Sequence, residues 1–279
     1  MLASLRPAAV AGSWYPGTAP AIETAVDGYL EAAGPQDVPG RLIGLVSPHA
    51  GLRYSGPVAA YGYSLLRGRA ARSVVLVGPS HRAAFAGVAL YARGAWETPL
   101  GRVPVDEPVA AAIRDAAPGL VLDDAAAHRQ EHSLEMQLPF LQRLVPSLRV
   151  VPLLMGSQAR GEVEALAAAL ASALRGRDVL LVASSDLSHY QAASVANRLD
   201  GVVADQIARF DDAALQDRLE AVDNVACGGG PVVAVMRAAR ALGAERATLL
   251  RYADSGDVEP FDKGHVVGYL SAAFSAGAA

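Results

Sequence analysis

The stretch LIGLVSPHAG, residues 42–51, runs five apolar residues straight into Ser47, Pro48 and His49. A continuous apolar run that short reads as a strand covered on both faces, with the polar residues at its C-terminal exit. The same pattern recurs twice. Val74–Val77 (VVLV) leads through Gly78, Pro79 and Ser80 to His81, and Val179–Val182 (VLLV) leads through Ser184, Ser185, Asp186, Leu187 and Ser188 to His189. Val150–Leu154 (VVPLL) is a fourth buried strand of this type. Helical periodicity falls between them, at Val58–Leu66, Val109–Ala116, Leu134–Leu144, Gly161–Leu174, Ala193–Ile207 and Pro231–Leu242, with further strands at Thr248–Tyr252 and Val266–Ala273. Such alternation predicts an α/β fold: a central mixed, largely parallel sheet with helices on both faces, in three αβα layers. Pro35–Gly40 reads as a surface loop and Ser275–Ala279 as a frayed tail. No repeat or composition break divides residues 1–279, so a single domain is expected.

Composition excludes several classes of function. With 52% hydrophobic and 19% charged residues, the chain can bury a large core and is not a disordered one. Its formal net charge of −4 argues against nucleic acid as a partner, because phosphate binding wants a basic face. A single cysteine excludes an internal disulfide. No apolar run approaches the roughly 20 residues of a membrane helix, and the start of the chain lacks the pattern of a secretory signal, so a cytoplasmic protein with no membrane contact is expected. There is no phosphate-binding loop and no G-x-G-x-x-G after the first strand, which leaves a nucleotide cofactor unsupported. A G-x-S-x-G nucleophile elbow is missing as well.

Open α/β sheets bind ligands beyond the C-terminal ends of their strands. His49, His81 and His189 all fall at such exits, and packing has no reason to place imidazole at each. Cys227 precedes Gly228-Gly229-Gly230-Pro231 and an apolar helical stretch, which puts it near a helix N-terminus where the dipole lowers a thiol pKa. A lone cysteine is otherwise a small buried hydrophobe. Two histidines with a thiolate suit catalytic zinc, or copper in a trigonal arrangement, whereas a carboxylate in the thiolate's place gives a non-haem iron site. His132 lies in the cluster HRQEHSLEMQ, residues 128–137, and reads either as a partner to a ligand or as part of a solvated turn. His128 and His265 read as structural.

Together these motifs resemble the Memo family, also called protein B of the AmmeMemoRadiSam system. The resemblance covers nearly the whole chain. It rests on AGSWYPG (residues 11–17), SPHAG (47–51), YSG (54–56), GPSH (78–81), WETPLG (96–101), EHSLE (131–135), SDLSH (185–189) and Cys227-Gly228. It implies a fold like the class III extradiol dioxygenases, whose iron is held by two histidines and a glutamate. By motif, His49 and His81 take the histidine places and Cys227 takes the third, a departure toward softer metals. His189 takes the acid–base place with Asp186 orienting it, and His132 is a further catalytic candidate. Trp14, Tyr15, Arg53 and Tyr54 are expected to line the approach, with the arginine offering charge to an anionic substrate. The implied function is a metal-dependent redox enzyme, with iron or copper (or zinc), acting on a small organic substrate. The alternatives are a peptide- or ligand-binding module, or a partner protein of the AmmeMemoRadiSam system.

Overall fold

The computed structural model describes residues 5–68, 73–258 and 262–277. Its centre is four parallel strands: β2 (Leu42–Ser47), β3 (Ser73–Pro79), β8 (Arg149–Met155) and β9 (Val179–Ser184). Except for Arg149 every residue in them is buried, as strands sandwiched between helices require. They lie in the order β2-β9-β3-β8, with pairs such as Ser47 to Ser184, Val77 to Ala183 and Pro79 to Met155. Their C-terminal ends are therefore level. On one side, antiparallel β12 (Val266–Ser275) extends the sheet and carries β10 (His189–Gln191) and β11 (Arg246–Asp254). On the other, β4 (Val88–Leu90) runs antiparallel to β8 and pairs with β7 (Val121–Asp123). A separate three-stranded sheet joins β1 (Leu5–Arg6), β5 (Ala95–Thr98) and β6 (Gly101–Pro104).

The layering follows from side-chain alternation along β2. A Cβ added at Gly44 would meet Val235 of α8 (Gly229–Ala241), whereas Leu45 points at Gly62 of α2 (Leu52–Ser64). Successive strand residues face opposite ways, so α8 and α2 cover opposite faces. α8 packs with α5 (Arg160–Leu174) and α7 (Asp212–Ala221), and α5 with α3 (Glu107–Ala116). α2 packs with α1 (Ala19–Ala33) and α4 (Leu138–Leu144), while α6 (Ala193–Ala208) leans on β11 and β12. This is the three-layer αβα arrangement with a mixed sheet that the strand pattern predicts. No helix among the described residues is long and apolar enough to cross a membrane.

Several boundaries depart from the sequence reading. α2 starts at Leu52, before Pro57, because Leu52 N donates to Trp14 O (2.7 Å) and ties the first turn to the N-terminal segment. The helix expected over Leu134–Leu144 is split: residues 135–137 form one tight turn, and α4 begins at Leu138. Pro139 explains the break, since proline suits a first turn and has no N–H for the turn before. Helix α1 was not read, although Ile22, Val26 and Leu30 mark its buried stripe. Ser275 ends β12 rather than starting a tail, and residues 278–279 lie outside the described residues.

One buried ion pair ties the N-terminal segment down. Arg6 bonds Glu135 Oε2 (2.7 Å), His128 O (2.7 Å) and Glu131 O (2.5 Å), and lies over the Trp96 ring. Glu135 also accepts from Ala9 N, Val10 N and the Tyr15 hydroxyl. Breaking a buried pair on one side leaves an uncompensated charge, typically costing about 3–5 kcal/mol. Arg6→Ala should therefore lower stability by roughly that amount in chemical denaturation, and a loss below about 1 kcal/mol would show that the pair contributes little. His128 adds a pH dependence. Burial drops its pKa from 6.5 to about 3. The unfolded chain thus binds a proton below pH 6.5 that the native state refuses, so stability is full above that pH and falls as pH drops toward 3. Thermal melts of wild type and His128→Gln from pH 7 to 4 should show a shallower acid loss in the variant.

Candidate metal centre

His49, His81 and Asp186 each stand two residues past a strand end, at the exits of β2, β3 and β9. Level strand ends bring them together, and α8 delivers Cys227 from the loop before its N-terminus. Donor atoms of His49, His81 and Cys227 lie within 4.8 Å of one another, and Cys227 Sγ is 3.2 Å from His49 Nε2. Two imidazoles and a thiol gathered this closely are a donor set of the kind that holds zinc or copper.

The tautomer of each histidine follows from its partners. Ser184 Oγ has one proton, and Ser133 O at 2.7 Å takes it, because a carbonyl only accepts. Gln137 Nε2 donates to Ser184 Oγ at 2.8 Å, while Tyr63 OH donates to Gln137 Oε1 at 2.6 Å. His49 Nδ1, 2.8 Å from Ser184 Oγ, is then the N–H donor, and its Nε2 lone pair faces Cys227. His81 Nδ1 donates to Glu131 Oε1 at 3.0 Å, which leaves Nε2 as its ligating atom. Three backbone amides also fix the Glu131 carboxylate: His81 N, His132 N and Ser133 N. Burial alone would raise its pKa, but these bonds hold the carboxyl far below its ordinary value. Glu131 was quoted in the sequence only as part of a motif. The role of Ser184, Gln137 and Glu131 was missed because their partners sit 47 to 135 positions away.

His132 stacks on His81 (centroids 4.7 Å apart) and tilts against Trp14 (4.1 Å), so it is buried against the centre and not in a solvated turn. Its Nδ1 is 3.2 Å from Glu131 Oε1 without hydrogen-bond geometry, and burial lowers its pKa to about 4. His189 is partly buried on the rim, and burial lowers its pKa too. Asp186 does not orient it. The carboxylate turns the other way and accepts from His49 N (2.7 Å) and Ala50 N (3.3 Å), and burial lifts its pKa to about 7. The expected lowering of the Cys227 pKa is also reversed. Burial and the adjacent Asp186 push the thiol up despite the start of α8, and only a bound cation would invert that.

These groups line one cleft of about 690 Å³, together with Trp14, Tyr54, Arg82, Tyr190 and Asn224. Two expected wall residues do not belong to it. Tyr15 is 3% exposed, its hydroxyl spent on Glu135, so it anchors the N-terminal segment. Arg53 is exposed over the Tyr54 ring and lines a neighbouring hollow behind Trp14. His128 is buried away from the cleft and His265 is exposed at the start of β12.

Comparison with known proteins gives the chain's family and fold. A sequence model of the Memo-like proteins matches residues 6–273. A MEMO1 family protein of Methanothermobacter thermautotrophicus is 38% identical over 95% of this chain and 98% of its own length. One from Methanosarcina mazei is 39% identical over 96% and 98%, and one from Pyrobaculum aerophilum is 41% identical over 84% of each chain. Among solved structures, the uncharacterized protein JW3007 from Escherichia coli K12 superposes with a TM-score of 0.53 at 16% identity, covering 84% of this chain and 99% of that one. That likeness concerns the fold.

The Glu131–His81 bond makes a specific demand. A carboxylate that orients a ligating imidazole typically contributes about 10–100-fold in metal affinity. Glu131→Gln should weaken zinc(II) binding by that factor in a competition titration against a chromophoric chelator. Unchanged affinity would mean that His81 does not need the carboxylate.

Proposed function

Because the chain belongs to the Memo-like protein family, we propose that it is a metal-dependent redox enzyme acting on a small organic substrate in the cleft. The observation that supports this most is the donor set itself. One donor atom each of His49, His81 and Cys227 converges within 4.8 Å, with both imidazole Nδ1 atoms already committed to other partners. An unpartnered buried nitrogen on His132 adjoins them. His49, His81 and Cys227 would hold iron or copper, and the thiolate favours the softer of the two. Such an ion, when bound, supplies electron transfer and a Lewis acid for a substrate oxygen.

The chain's own residues supply the rest. Burial keeps His189 neutral at pH 7, so its ring can accept a proton from a substrate hydroxyl and return it later. His132, neutral for the same reason, packs between His81 and Trp14 and excludes water from that side. Asp186 holds the backbone at His49 and so fixes the ligand's approach. A lone thiol that must stay reduced suits the cytoplasm.

The test uses protein purified without oxygen. Metal content, and oxygen uptake on a panel of catechols and related phenols, are read for wild type, Cys227→Ser, Cys227→Asp and His189→Ala. Wild type should hold about one iron or copper per chain. Cys227→Ser should lose most of it, and Cys227→Asp should regain iron by restoring a two-histidine, one-carboxylate set. His189→Ala should keep the metal while turnover falls about 10²–10⁴-fold. Equal metal in wild type and Cys227→Ser overturns the ligand assignment. A full metal load without uptake on any compound assigns the cleft to ligand binding.

A further inference from the structure

The residues after His81 and His189 depart from their surroundings. Arg82 follows His81, is exposed on the cleft wall, and makes no ion pair or hydrogen bond among the described residues. Several arginines on other faces are matched with carboxylates, as Arg143 is with Glu23 and Asp27, and Arg160 with Asp217 and Glu220. Around the cleft the remaining ionisable groups are four imidazoles, the Cys227 thiol, the Tyr54 and Tyr190 phenols and Asp186, whose carboxylate is occupied by the amides of His49 and Ala50. Arg82 is thus the cation of the cleft wall without an anion among the described residues.

Tyr190 follows His189. It is 73% exposed, has a φ of 60°, and sits where the pairing of β10 with β12 shifts register. A bulky residue in the left-handed region is an outlier, and a bulge of this kind re-aims a side chain. Asn224, also left-handed, donates its side-chain amide to His189 O (3.0 Å) and steadies the bulge. A large aromatic ring is therefore held in water at the cleft mouth by an unfavourable backbone. A core or a solvated surface gains nothing from that.

We propose that Arg82 and Tyr190 select the substrate: an organic anion whose oxyanion pairs with the Arg82 guanidinium while its flat body packs on the Tyr190 ring. This inference rests on the cleft being the substrate site, as in the function proposed above. It transfers to Arg82 the charge-matching role expected of Arg53. A guanidinium fork matches a carboxylate with two parallel hydrogen bonds, and it is fully charged at any working pH. With a cation in the centre the cleft becomes more positive still, which favours the same class of ligand.

Benzoate and benzamide are a matched pair that differs in charge. Both are titrated by NMR into as-purified wild type, Arg82→Gln, Arg82→Lys and Tyr190→Ala at low salt, with metal content measured on the same samples. Wild type should bind benzoate at least tenfold tighter than benzamide, with a preference that shrinks as salt rises. Arg82→Gln should erase the preference and Arg82→Lys should keep part of it. Tyr190→Ala should weaken both ligands several-fold alike. An unchanged benzoate-to-benzamide ratio in Arg82→Gln overturns the proposal, as does a wild type that binds neither. Metal content reports separately on the proposed function, since the Arg82 side chain is not part of the candidate donor set.

Discussion

The level ends of β2, β9 and β3 are the constraint on which the centre depends. Strand residues advance about 3.3 Å each, so a slip of one residue would carry His49 or His81 past the other donors. It would also turn every buried side chain to the opposite face. Register here is enforced by packing on both sides, because β2 alternates a glycine under Val235 and Phe274 with leucine against α2. Gly228 adds a lock at the same edge. A side chain there would collide with Ser184 O, so the start of α8 can lie directly on the end of β9. Cys227 is delivered to His49 by that contact, and reciprocal bonds between Cys227 and Asp186 hold it there.

Burial then sets the electrostatics. Desolvation disfavours charge on His49, His132, His189, Cys227 and Asp186 alike. Glu131 is the exception, since four N–H groups favour its ionised form over the opposing effect of burial. The centre therefore combines neutral nitrogen and sulfur donors with one fixed negative charge behind His81. Such a set is poor at holding protons and good at holding a cation. A proton gains only one bond there, whereas a cation gains three donors and makes the thiolate favourable at the same time.

How much of this was legible in the sequence depended on distance along the chain. The four central strands, the histidines at their exits and the Gly-rich approach to Cys227 are local patterns, and each appears where the pattern puts it. Asp186 was misjudged because nearness in sequence suggested His189 as its partner, whereas the loop turns the carboxylate back onto the 49–50 backbone. Tyr15 was misjudged in the same way. It neighbours Trp14, yet the tight turn over residues 11–15 sends the two side chains apart, so one lines the cleft and the other meets Glu135. Ser184, Gln137 and Glu131 left no local mark, because a hydrogen-bond partner chosen by the fold obeys no spacing rule.

Glu131 and Glu135 show why site and stability are joined. They are four positions apart on one irregular segment, both buried, and they do opposite work. Glu131 faces His81 and fixes its ring, while Glu135 faces away and gathers the N-terminal segment through Arg6, Ala9, Val10 and Tyr15. Arg6 also bonds the carbonyl of Glu131, so one guanidinium ties the Glu135 carboxylate to the Glu131 backbone. The segment it holds carries Trp14 onto His132, and His132 onto His81. An irregular stretch has no helix or ladder to keep its shape, so its geometry must come from buried bonds of this kind. The ion pair that secures the N-terminal segment is then the same element that keeps Glu131, and through it the His81 ring, in place.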